Sequence, residues 1–202
     1  MIGIRTPESA VWHALLTKSQ AISSIQLPEA IETYLSCLLI RAMTVAPEAR
    51  FNSASFSQRE TRKDAISHGL ESDGSIGQDI NDSDAEDELH MIGDECLVLA
   101  GLMPERAIRE EIPVSYFVNV AIRAYSQLSQ EGGDPIYHLL ADHLIECIDV
   151  LHTLREIEEG SSCLDPLNAF ELWQDAGSAH AWHYLTNMTN AQPVREVSNT
   201  LN

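Results

Sequence analysis

Apolar residues recur along this chain every three to four positions, in segments opened by proline and closed by glycine or a second proline. That is the period of helices with one buried face. Proline presets the first helical turn, where its missing N–H costs nothing, and glycine takes the left-handed conformation that ends a helix. The first predicted helix runs from Pro7 to Ser19, capped by Thr6, with Val11, Trp12, Leu15 and Leu16 on one face. The second starts at Pro28 and sets Glu29 and Glu32 at the positive end of its dipole. It turns Ile31, Leu35, Leu38, Ala42 and Val45 inward and stops before Pro47. The third takes Asp84 as its cap and carries Leu89, Ile92, Cys96, Leu99 and Met103 until Gly101 and Pro104 break it. Its last turns are apolar nearly all round, as a buried strand would be, but the helical spacing upstream decides for helix.

A short segment from Pro104 to Glu110 continues helically at an angle. The fourth main helix follows Pro113 and buries Phe117, Ala121, Tyr125 and Leu128. The fifth is the longest: Asp134 caps it, Pro135 opens it and Gly160 closes it, a rod of roughly 35 to 40 Å. Its stripe is Ile136, Leu140, Leu144, Cys147, Leu151 and Leu154. Asp165, Pro166 and Gly177 punctuate the sixth, and Ser178 caps a last one through His180, Trp182, Tyr184 and Leu185. From Ser53 to Ile66 a polar stretch suits a short helix, whereas residues 67–83 are rich in Gly, Ser, Asp and Asn and read as an acidic flexible loop. The expectation is an all-α chain: one helical domain over 1–190, an irregular bundle of six or seven helices around one long central helix, and a frayed tail over 191–202.

Composition sharpens this picture in two places. The chain has 202 residues and a formal charge of −19, from 31 Asp and Glu against 12 Lys and Arg. Such a field repels phosphate backbones and anionic headgroups, so direct nucleic-acid or membrane-surface binding is not expected. Second, Cys37, Cys96, Cys147 and Cys163 lie far apart with no C-x-x-C pair, and read as small buried hydrophobes rather than a disulfide framework. With no apolar run in the first twenty residues long enough for a signal peptide, a cytoplasmic setting is expected.

The charge is also segregated. From Asp64 to Glu105 there are twelve acids and no Lys or Arg, densest at Asp79, Asp82, Asp84, Glu86, Asp87 and Glu88. These six read either as a solvated approach to an acid-rich helical turn or as a docking surface for a basic partner protein. An EF-hand fails: counted from Asp79, the glycine position holds Asp84 and the bidentate glutamate position holds His90.

Histidine spacing raises metals. A ferritin-like di-iron centre needs paired Glu-x-x-His motifs; Asp87-x-x-His90 and Asp149-x-x-His152, with Glu32, come closest but use the shorter acid. Zinc would suit His143, Cys147, His180 and His183 if the last helix packs on the fifth. His138, Asp142, Glu146, Asp149 and Glu156 form a polar stripe that reads as the exposed face of the long helix. No nucleophile elbow, phosphate loop or other catalytic motif is present, and Gly132-Gly133 is the turn before a capped helix. The aromatics of the second half, among them Tyr116, Phe117, Tyr125, Phe170, Trp173 and Trp182, suit core packing better than a ligand cavity.

Three segments carry a resemblance: Gly93-Asp94-Glu95-Cys96-Leu97-Val98-Leu99-Ala100-Gly101-Leu102 followed by Met103-Pro104-Glu105; Ser115-Tyr116-Phe117 leading to Ala124-Tyr125; and Leu167-Asn168-Ala169-Phe170-Glu171-Leu172-Trp173. Together, across about Met91 to Trp182, they resemble a family of small, uncharacterised bacterial all-helical proteins, against which residues 72–85 look like an insertion. The resemblance implies a bacterial cytoplasmic setting and brings no activity or site residues. The functional expectation is a non-enzymatic interaction or regulatory module that meets a basic partner, with homo-oligomers allowed. The alternative is a metal-binding helical protein.

Overall fold

The computed structural model describes residues 7–44, 82–130 and 132–189. Its helices are α1 (Pro7–Ser23), α2 (Glu29–Thr44), α3 (Asp82–Leu102), α4 (Pro104–Arg109), α5 (Val114–Gln130), α6 (Ile136–Asp142), α7 (Leu144–Glu159), α8 (Pro166–Ala176) and α9 (Ala179–Thr189), and no strand occurs among the described residues. The punctuation acts as its chemistry requires. Asp165 accepts from the amides of Leu167 and Asn168 at 2.9 and 3.1 Å, and Gly177, at φ 81°, returns its N–H to the Trp173 carbonyl. Gly160 closes α7 in the same left-handed region. The Thr6 cap, the polar stretch of Ser53 to Ile66, most of the expected acidic loop and the expected frayed tail lie outside the described residues. Helix α3 already begins at Asp82, so the end of that loop is helical.

Two expectations are corrected. The rod expected from Pro135 to Glu159 is two helices, because His143 sits at φ −110°, ψ 19° between them. No proline or glycine marks the break. It lets α6 face α2 and α5 while α7 turns against α1, α3 and α9. Gly101, read from sequence as a breaker, lies inside α3, where a β-carbon would come within 2.6 Å of Leu151 Cδ1. Its use is the close approach of α3 and α7.

The core gathers where these two helices meet. Every residue from Cys96 to Leu102 and from Cys147 to Leu154 is buried, so both segments are covered all round, as helices enclosed by other helices must be. Helix α5 covers a second side of α3 with Phe117, Ala121, Tyr125 and Leu128, as its spacing predicts. In α1 the inward line is Trp12, Leu16, Ser19 and Gln20, which leaves Val11 exposed, against expectation.

Candidate functional site

Of the six acids expected to form a docking surface, Asp79 lies outside the described residues, and Asp82 and Asp84 fall in the first turn of α3. Glu86 and Asp87 are exposed and Glu88 is half-buried. Met91, one turn beyond Asp87, is 46% exposed, an apolar side chain standing beside the acids. Their field reaches inward. Burial first, then Asp94, Glu86, Asp134 and Asp87, push the Tyr137 hydroxyl above its ordinary pKa.

Behind that face lies a polar cluster that the sequence does not advertise. Asp94 is buried in α3, and its Oδ1 accepts from the Tyr34 hydroxyl and, at 2.9 Å, from the Tyr125 hydroxyl. Its Oδ2 accepts from Arg41 Nη2 at 2.7 Å. With the Tyr34 proton committed to the carboxylate, the Tyr34 oxygen accepts from His90 Nε2 at 2.9 Å, which fixes that nitrogen as the protonated one. Burial, and then the adjacent Asp94, push both tyrosine hydroxyls far above their ordinary range, so both stay neutral donors. The cluster ties α2, α3 and α5 together. Tyr137 stacks on Tyr125 at 6.2 Å and meets His90 edge-on at 5.8 Å. A β-carbon on Gly93 would come within 2.7 Å of the Tyr125 ring, so only glycine lets that hydroxyl reach its acceptor.

A second cluster joins α7 to α9. Asp149, expected on an exposed stripe, is 1% exposed. Its Oδ1 accepts from Ser178 Oγ at 2.5 Å, and its Oδ2 from the amides of Ala179 and His180 at 2.9 and 3.2 Å. Ser178 Oγ in turn accepts from Ala181 N at 3.0 Å, so the first three amides of α9 are all satisfied. Burial raises the Asp149 pKa, and these donors oppose the rise. Nearby, His152 is wholly buried and its Nε2–H donates to the Ala100 carbonyl at 2.8 Å. In a continuous helix that carbonyl would receive the amide of residue 104, which is proline; His152 supplies the missing donor. The other ring nitrogen, Nδ1, has no hydrogen-bond partner, and burial pushes the His152 pKa down to about 3. The ring is neutral.

The last helix does pack on α7, but in a register that separates the expected zinc ligands. His180 lies against Glu156, with Nε2 3.1 Å from Oε1, and beside Thr153. That hydrogen bond holds Glu156 below the usual carboxyl range. Cys147 is buried more than a turn earlier, its thiol pushed far up by burial. His143 stands at the α6–α7 junction, 3.9 Å from Glu146, and His183 is exposed. The di-iron set is dispersed as well: Glu32 receives Gln20 and faces His13, His90 serves Tyr34, and Asp149 and His152 are engaged as above. Among the described residues no three His, Cys, Asp or Glu side chains converge as metal ligands.

Cys96, Cys147 and Cys163 are buried as expected, whereas Cys37 is exposed, because it lies off the Leu35, Leu38 and Ala42 line of α2. Phe117 and Tyr125 belong to the core, but Tyr116 is exposed and Phe170, Trp173 and Trp182 are only half-buried. The rings of Trp173 and Trp182 meet at 5.0 Å with a 36° tilt, and Phe170 joins Trp173 at 5.8 Å. Beside them an open notch of about 380 Å³ is lined by Trp173, Gly177, Ser178, Ala179 and Trp182. Among the described residues no helix is long and apolar enough to cross a membrane. Comparison with family models, curated proteins and solved structures finds no match to the chain.

Proposed function

We propose that this chain is a non-enzymatic interaction or regulatory module whose acidic surface receives a basic partner protein. The observation that carries the reading is the disposition of its charge: −19 overall, with Glu86 and Asp87 exposed at the head of α3 beside the exposed Met91. A one-signed field with an apolar contact at its edge speeds encounter with an opposite charge and gives the complex something to bury. Asp94, Asp149 and His152 each hold one helix to another and so serve the frame that carries this surface.

The test is association kinetics with a basic model polypeptide, polylysine, across a salt series. Neutralising Asp79, Asp82, Asp84, Glu86, Asp87 and Glu88 to Asn or Gln is expected to slow association by about tenfold at low salt and flatten its salt dependence, with the helical content unchanged. A neutralised variant that associates at the original rate would reject the reading.

A further inference from the structure

We infer that the aromatic shelf of Phe170, Trp173 and Trp182 on α8 and α9 seats a cationic side chain, arginine in preference to lysine, carried on an extended segment of the basic partner. The inference rests on the acidic-surface reading above and gives it a place of contact: the α3 acids steer the partner, and the shelf retains it. Four observations converge there.

The three rings touch in sequence, at 5.8 Å and 5.0 Å, and form one half-buried π surface rather than an isolated side chain. Their spacing leaves no room for a group between the two indoles, so a ligand lies against the shelf, with its stem in the adjoining notch of about 380 Å³. Leu167, one turn before Phe170 on the same face, is 67% exposed and extends the apolar surface along α8.

The start of α9 opens on this notch, yet it offers nothing to an anion, because Asp149 and Ser178 already occupy its first three amides. The surrounding charge points the same way. From Glu156 to Thr189 the chain carries Glu156, Glu158, Glu159, Asp165, Glu171 and Asp175 and no Lys or Arg. Of these, Glu159 is paired with Arg155 and Glu156 with His180, while among the described residues Glu158 and Glu171 have no such pairing. The local excess of acid therefore favours a cation at the indoles, and a planar guanidinium stacks on indoles where an ammonium does not. Glu171 stands one turn from Leu167 on α8, at the edge of the exposed face, placed to meet a second positive charge.

The experiment uses the full chain and an alternating Arg-Gly decapeptide, with Lys-Gly and Gln-Gly peptides of the same length, followed by the indole Nε1–H resonances. Trp12, on α1, is the internal control. Saturable shifts of Trp173 and Trp182, with Trp12 unmoved and Arg-Gly bound more tightly than Lys-Gly, are expected. Trp173→Leu should weaken Arg-Gly binding about fivefold, mainly through faster dissociation, while Trp173→Phe keeps most of it. Should Trp173→Leu lose its fold, Glu171→Gln, a surface change, still carries the test through weaker binding and a shallower salt dependence. Equal shifts with Gln-Gly would overturn the cationic seat. Shifts confined to the amides of residues 86–88 would overturn the shelf and leave the acidic-surface reading standing, and no binding by any peptide would overturn both.

Discussion

Asp149 on α7 and Ser178 at the head of α9 share a hydrogen bond of 2.5 Å, so that a carboxylate buried in one helix provides the cap of another. Because the same carboxylate also receives two amides, its removal strands several buried donors at once. Asp149→Ala is expected to cost about 3 kcal/mol, and Ser178→Ala about 1 kcal/mol, in urea unfolding at pH 7. Equal losses would show that the serine alone makes the cap.

Acid should unfold this chain through His152. Its pKa falls from 6.5 unfolded to about 3 folded, so between those values only the unfolded state takes the proton. Its contribution is complete above pH 6.5 and declines by about 1.4 kcal/mol per pH unit as acid is added. Asp149 works in the opposite sense: its raised pKa favours the folded state at low pH and yields that advantage as pH rises through the folded value. The histidine acts at higher pH and sets the onset. His152→Gln, which keeps a donor for the Ala100 carbonyl, should remove most of the slope of the urea midpoint between pH 6.5 and 5; an unchanged slope would assign it to other groups.

How far these sites are legible in the sequence depends on what their geometry needs. Pro104, Pro166, Gly160 and Gly177 mark helix ends by backbone chemistry that acts locally, and the structure places ends there. The break at His143 has no such signature, since it answers to which neighbours α6 and α7 face. Asp94 reads as one more acid in an acidic run; its partners Tyr34, Arg41 and Tyr125 come from two other helices, and no spacing rule joins them. Spacing misplaces Asp149 for a similar reason. Its period belongs to an outward stripe, but Ser178 and two amides make it soluble inside. Pro104 is the available clue to His152, because a proline four residues after a helical carbonyl, here that of Ala100, leaves that carbonyl in want of a donor.

Gly93 should tolerate no side chain. Alanine gains about 1 kcal/mol of helix propensity, but its methyl would meet the Tyr125 ring at 2.7 Å and drive the hydroxyl away from Asp94. A net loss of about 2 kcal/mol is expected for Gly93→Ala by thermal or urea unfolding. A stabilised variant would mean that the ring moves aside without consequence.

The thiols should divide one against three. Cys37 is exposed, whereas Cys96, Cys147 and Cys163 are buried, and burial pushes the Cys163 pKa up to about 12. A disulfide reagent at pH 8 should therefore modify one thiol rapidly in the folded chain and four after denaturation, with Cys37→Ser abolishing the fast phase. A fast phase that persists in that variant would contradict the burial.

The corner between α3 and α4 is completed by a side chain that emerges from the ribosome some fifty residues later. Backbone bonds from Met103 to the Val98 and Leu99 carbonyls and from Arg106 to the Met103 carbonyl brace the corner locally, but until α7 is made the Ala100 carbonyl lacks its donor. When α7 arrives its imidazole completes the corner, so a nascent chain halted before His152 should leave the Ala100 carbonyl open to solvent.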